Sequence, residues 1–359
     1  MTLIALPRVP LQTMAGLQRF RSGSQLRRAL ALVAPVLTEL ARQPELEAAA
    51  SWRLLAASWT VTGTATFLVG PSDRTAPSGV LRMSATGGGR LQHETEVLRE
   101  LGSQPALADF RHMVPSRHAD GESGPWRYVL DEYIPGVDGS TAVTADPALR
   151  RAAQESGIRS VTALHRATAR PAVIDEELLR RWVDEPIQVL ARSLRRSPLG
   201  RNGALLERVR ERLHAALRGR EVFAGWVHGD FWLGNLRVAP DTGRLIGIID
   251  WDCAGDGELP AHDLVHLALY GYSVERGISL GAVVADVVRT GTWPADCEEL
   301  IRHSRWSWDP QIGDDDIALL YWLRYAAAMT AQQQDYVHHS VYVWQWCNVR
   351  RVLTALRRS

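Results

Sequence analysis

The stretch His228-Gly229-Asp230-Phe231-Trp232-Leu233-Gly234-Asn235, followed by Ile248-Ile249-Asp250-Trp251, decides how this chain is read. Between the two lie the apolar runs Leu236–Ala239 and Arg244–Ile249, joined by Pro240-Asp241-Thr242-Gly243. Proline presets φ at a turn and glycine accepts a positive φ, so this segment predicts a β-hairpin. A hairpin brings the chain back to its start, which should leave Asn235 and Asp250 at the same open end. An amide oxygen and a carboxylate are hard donors suited to Mg²⁺, an ion that takes few protein groups and fills its shell with phosphate oxygens. Asp230 precedes the hairpin on a loop, where it can accept a proton from a hydroxyl arriving beside a metal-bound phosphate. A loop Asp, an Asn on the metal and a second Asp on the metal are the working parts of phosphoryl transfer.

Upstream, Trp52–Val61, Thr64–Val69 and Gly79–Ser84 read as strands. A helix follows from about Leu91 to Leu101, then strands at His112–Arg117 and Trp126–Tyr133, closed by Pro135-Gly136. After Gly139 the periodicity is helical, near 146–168, 175–195, 203–219 and again over 275–357. The chain therefore divides into a helical extension (1–50), a small β-rich lobe (51–134) and a larger, mostly α lobe (135–359). This is an α+β architecture, with an antiparallel sheet and one helix in the small lobe.

Composition narrows the chemistry. The 359 residues are 46% hydrophobic and 23% charged, with a net charge of +1, so no global field draws the chain to nucleic acid or an anionic membrane. All 41 basic residues are arginine. Without lysine there is no Walker A loop and no Schiff-base chemistry on a side chain. The three cysteines are widely spaced with no CxxC, which excludes a disulfide framework or a zinc site and fits a cytoplasmic protein. The apolar stretch Ala29–Leu37 is short, contains Pro35 and runs into Glu39, and so reads as part of an amphipathic helix instead of a signal peptide. No segment has the ~18 apolar residues of a membrane span.

The combination HGDxxxxN, hairpin, Ile249-Asp250-Trp251, Gly257 and Asp263-Leu264 closely resembles the aminoglycoside phosphotransferase and choline kinase superfamily, over roughly residues 52–325. The resemblance implies a two-lobed, protein-kinase-like fold with ATP and Mg²⁺ between the lobes. It also implies phosphorylation of a hydroxyl on a small molecule, with Asp230 as catalytic base and Asn235 and Asp250 on the metal. Arg82, in Val80-Leu81-Arg82, is similar to the strand residue that contacts the nucleotide phosphates, and Glu94 to the acid that pairs with it. Gly63, in Thr62-Gly63-Thr64, occupies the place of the nucleotide-positioning loop. Glu132 and Tyr133, in Leu130-Asp131-Glu132-Tyr133, resemble the hinge that meets the base. Asp263 takes the place of the acid that steadies the catalytic loop. ATP and GTP both remain open, as does the acceptor: a sugar, an aminoglycoside or other antibiotic, a nucleoside or an amino alcohol.

Other conspicuous residues have simpler readings. Asp314-Asp315-Asp316 precedes the apolar run Ile317–Met329, where acids favour a helix start. Six tryptophans after residue 290 read as helical core, with an aromatic acceptor pocket as the alternative. His228 reads as a structural hydrogen-bonding group. A catalytically silent nucleotide-binding protein is the competing function, and the intact Asp230, Asn235 and Asp250 set argues against it.

Overall fold

A computed structural model describes residues 34–36, 38–40, 52–59, 64–71, 79–84, 89–142, 146–194, 203–332 and 343–356. They form two packing units, one reaching Gly157 and including Leu233–Asp252, the other comprising Ile158–Trp232 and the chain from Cys253 onward. Of the expected amino-terminal helical extension, residues 34–36 and 38–40 are helical, with Val36 and Leu40 buried; the rest lies outside the described residues.

The first unit carries a five-stranded antiparallel sheet of strands β1 (Trp52–Trp59), β2 (Thr64–Pro71), β3 (Gly79–Ser84), β4 (Arg117–Ser123) and β5 (Trp126–Glu132). Their order is β1-β2-β3-β5-β4. Strand alternation explains β3: Leu81 and Met83 are fully buried, whereas Arg82 points to the other face. Helix α1 (Gly89–Ser103) buries Leu91, Glu94, Thr95, Val97, Leu98 and Leu101, an i, i+3, i+4 stripe that contains one acid.

The strand expected at His112–Arg117 is misplaced. Arg111–Met113 forms a 3-10 turn, and the strand begins at Arg117. The error has a physical origin. Strand β4 is at the sheet edge and reads RHADGES, so it has little apolar alternation to announce it, while the apolar Met113 and Val114 lie outside the ladder.

The same unit holds a second, three-stranded sheet in the order β10-β9-β6, formed by β6 (Val137–Asp138), β9 (Leu236–Val238) and β10 (Leu245–Ile248). The β9–β10 hairpin is the one expected, with Gly243 at φ 65° in its turn. Leu236, Val238, Leu245 and Ile248 are buried, which fixes its register. Helix α2 (Pro147–Thr168) contributes the Ser156 hydroxyl, which accepts from Leu245 N at 3.1 Å.

The second unit is mostly helical. A sheet ordered β11-β8-β7 joins β7 (Arg170–Val173), β8 (Glu221–Val227) and β11 (Gly255–Glu258). Around it pack α3 (Gly203–Leu217), α4 (Ala261–Arg276), α5 (Leu280–Thr290) and α6 (Asp314–Gln332), with shorter helical pieces between. Their buried faces meet in one core that includes Leu213, Val265, Val284 and Leu320. Each such side chain contributes about 1.5–3 kcal/mol by leaving water. Trp293, Trp308 and Trp322 belong to this core, as expected, whereas Trp306 is half-buried and Trp346 exposed. Asp314, Asp315 and Asp316 begin α6, where Arg305 pairs with the first and Arg212 with the other two. Among the described residues, no helix is long and apolar enough to cross a membrane.

Candidate active site

The first unit gathers charge around Arg82. Its Nη2 donates to Glu94 Oε2 at 2.5 Å and to Asp131 Oδ2 at 2.6 Å, and its Nη1 lies 3.5 Å from Asp250 Oδ1. Burial opposes the guanidinium charge, but the carboxylates of Glu94, Asp131 and Asp250 outweigh it and raise the pKa of Arg82. Arg117 donates to Asp131 from the other side. Glu94 is 1% exposed and its second oxygen accepts from the backbone N–H of Trp251 at 3.2 Å. Burial pushes the Glu94 carboxyl up, against the pull of Arg82. Helix α1 thus connects β3 to the end of the hairpin through one acid.

The hairpin delivers Asn235 and Asp250 as its geometry requires. Leu236 pairs with Ile248, and Ile249 N donates to Asn235 O at 2.9 Å, so the two side chains leave the same end of the ladder. Asn235 is buried, and the Asp250 side chain is 34% exposed. Asp250 is the described non-glycine residue with positive φ, at 63°. Asp tolerates this left-handed backbone better than most residues, yet at a cost. The conformation turns the chain sharply after β10. Trp251 is fully buried and donates its indole N–H to Ile248 O at 2.9 Å, which braces the turn. Asp252, a candidate loop acid, pairs with Arg90 of α1.

The second unit builds the loop of Asp230. Gly229 has φ 83°, and a Cβ there would lie 2.1 Å from Cys253 O. Only glycine fits both conditions. Asp263, at the first turn of α4, is completely buried and accepts from His228 N and Gly229 N, each at 2.8 Å, and from His165 Nε2 at 2.9 Å. Burial alone would raise its pKa, but these donors, His165 foremost, hold it at about 2. Arg324 of α6 donates to Gly229 O and Cys253 O, both at 3.3 Å, and is itself held by Glu258. The Asp230 carboxylate is 32% exposed and its Oδ1 lies 3.0 Å from His266 Nε2.

Over residues 61–296 the chain matches the phosphotransferase enzyme family, well over half its length. It belongs to that family. As a family member it moves a phosphoryl group onto a hydroxyl of a small molecule. Its fold is similar to that of a solved aminoglycoside-3'-phosphotransferase of type VIII, with a TM-score of 0.51 at 17% identity, covering 82% of this chain and 98% of the other. The aminoglycoside phosphotransferase APH(3'')-Id from Streptomyces rimosus gives 0.49 at 18% identity, covering 82% and 96%. A glucosamine kinase gives 0.40 at 19% identity, covering 97% and 86%. No curated protein matches the chain significantly. The fold is the two-lobed, kinase-like α+β fold of this family.

Within this phosphotransferase, the remaining expected residues fall as follows. Gly63 lies outside the described residues. Glu132 ends β5, exposed, and accepts weakly from Ser116 N at 3.4 Å. Tyr133 follows, half-buried. Three residues of the site were missed from sequence. Asp131 and Arg117 complete the surroundings of Arg82. In the β3–β5 register Val80 opposes Asp131 and Arg82 opposes Val129, so Arg82 and Asp131 are diagonal neighbours on one face. His266 is three residues beyond Asp263 on α4, and helical spacing could have found it.

Proposed function

We propose that the chain is an ATP-dependent kinase of a small hydroxyl-bearing molecule, using Mg²⁺. The observation that carries this reading is the convergence of Asn235, Asp250 and Arg82 in one unit: two oxygen donors from one hairpin end beside a cation fixed by Glu94 and Asp131. Mg²⁺ commonly takes one or two protein oxygens and completes its octahedron with phosphate and water, which two donors at one hairpin end would suit. When bound, the ion neutralises phosphate charge. Asn235 and Asp250 would hold it, and Arg82 would meet phosphate oxygens.

Asp230 would accept the proton of the acceptor hydroxyl as the new bond to the γ-phosphorus forms and the bond to the leaving diphosphate breaks. The Asp263 clamp on the preceding backbone would hold that carboxylate in place, so that positioning and electrostatics supply most of the acceleration. Gly63, Glu132 and Tyr133 would line the nucleotide side. The free thiols fit a reducing cytoplasm.

The solved protein of similar fold is an aminoglycoside-3'-phosphotransferase, so aminoglycosides and their amino-sugar parts are acceptors to try. The residues of the second unit around Asp230 favour a compact, less cationic acceptor. Tyr270, Tyr321 and Tyr325 surround His266 there, and the nearby Glu258 is already paired with Arg181 and Arg324. The test measures MgATP-dependent transfer to streptomycin, gentamicin, glucosamine and choline, with Asp230→Ala as blank. Transfer to one of them by wild type, with the blank silent yet still binding nucleotide, is the expected result. Absence of any nucleotide-induced thermal shift, with or without Mg²⁺, would overturn the reading.

A further inference from the structure

We propose that His266, locked by Tyr321, is the positioning residue that orients the Asp230 carboxylate; this assignment rests on the phosphotransferase reading above. The contact is within the second unit and buried. His266 is 2% exposed and its Nε2 lies 3.0 Å from Asp230 Oδ1. No contact of that buried nitrogen among the described residues has the angle of a hydrogen bond, and the Asp230 carboxylate is the acceptor within its reach. Its Nδ1 lies 2.7 Å from the Tyr321 hydroxyl of α6. Tyr270, one turn further along α4, stacks on the ring at 5.0 Å and 14°.

Donor and acceptor roles follow from these contacts. An ionised carboxylate only accepts, so the nitrogen facing Asp230 must carry a proton. Burial, with the neighbouring Tyr325 and the charge of Asp230 adding to it, pushes the Tyr321 phenol well up, so it keeps its proton. With the imidazole proton on Nε2, the bare Nδ1 accepts from that hydroxyl. Tyr321 therefore selects the Nε2–H tautomer, and the stacked Tyr270 sets the ring plane. With Oδ1 held against the ring, the carboxyl group is oriented, and with it the direction from which an acceptor hydroxyl is met. Helix α4 does both jobs with one face. Asp263 fixes the backbone of the loop, and His266, at i+3, fixes the side chain that the loop presents.

The test compares His266→Leu, His266→Gln and Tyr321→Phe by steady-state kinetics, with whichever acceptor of the panel is phosphorylated, or with water as acceptor through ATP hydrolysis. His266→Leu should lower kcat by about 10- to 100-fold with KM for MgATP changed less than about twofold. His266→Gln, which keeps a donor of similar reach, should recover most of the loss, and Tyr321→Phe should fall between. In an Asp230→Asn background His266→Leu should cost nothing further, because the two act as one unit. A His266→Leu enzyme with wild-type kcat, a His266→Gln enzyme as poor as His266→Leu, or a loss confined to KM for MgATP overturns the proposal. If the wild type turns over neither acceptor nor water, the phosphotransferase reading has failed, and the His266–Asp230 coupling is read by side-chain ¹⁵N NMR. Asp230→Asn should then displace the His266 Nε2 resonance, identified by its loss in His266→Gln; an unmoved resonance overturns the coupling.

Discussion

Arg82 faces Asp250 at 3.5 Å while a second nitrogen of the same guanidinium is shared by Glu94 and Asp131. One planar group thus spans three carboxylates contributed by α1, β5 and the end of the hairpin. A compact ammonium cannot reproduce that fork. Arg82→Lys should weaken MgATP binding by roughly tenfold, as read by KM or titration calorimetry, although the charge is unchanged. Unaltered affinity would mean that charge alone matters there.

Asp250 combines a side chain proposed to hold the metal with an unfavourable backbone. Replacing it with glycine relieves the left-handed conformation and deletes the carboxylate. Asp250→Gly should unfold at the same or higher temperature, with a gain of up to about 1 kcal/mol, while losing the Mg²⁺ dependence of nucleotide binding. A magnesium titration that still matches wild type would remove Asp250 from the metal.

Gly229 offers a test of the loop without touching a reacting group. In Gly229→Ala the new Cβ meets the carbonyl of Cys253, which is backbone and cannot swing aside. The Asp230 loop must shift. The expected result is a kcat loss on the order of 100-fold with nucleotide affinity retained. A variant of normal turnover would show that the loop tolerates displacement.

Acid should destabilise the second unit in two successive, overlapping windows. His262 is buried, neither ring nitrogen has a hydrogen-bond partner among the described residues, and burial, then the charge of Arg324, lowers its pKa to about 3. Its unfolded form takes a proton below about 6.5, so stability falls as pH drops from there toward 3. Asp263, held at about 2, contributes stability that is complete above its unfolded value near 4 and is lost as pH falls through 2, in total about 3 kcal/mol. His262→Leu should flatten the melting temperature across the upper window, and Asp263→Asn should lower it at neutral pH and shrink the lower drop. Parallel curves for His262→Leu and wild type between pH 6 and 4 would contradict the assignment.

Short-range features of this site were legible because they are local. The hairpin follows from Pro240 and Gly243 between two apolar runs, and β3 follows from the alternation of Leu81, Arg82 and Met83. What escaped depends on pairing between distant segments. Glu94 could be picked out from α1, but Asp131 becomes a partner of Arg82 only through the β3–β5 register. Strand β4 was displaced because an edge strand needs no apolar face. The carboxy-terminal tyrosines could be read as core or as pocket, and Tyr321 is in fact both buried and hydrogen-bonded to His266.

On the proposed reading, the engaged state of Arg82 would make the phosphate site an ion exchanger. An incoming nucleotide would not meet a bare cation; its phosphate oxygens would take the place of Asp250 at Nη1, the longest of the three contacts and the one on the least buried carboxylate. Glu94 and Asp131 would stay, because they are buried and tethered by Trp251 N and Arg117. Asp250, once displaced, would be an oxygen donor for a cation. Occupancy by anion and by cation would then be coupled through one carboxylate, each favouring the other.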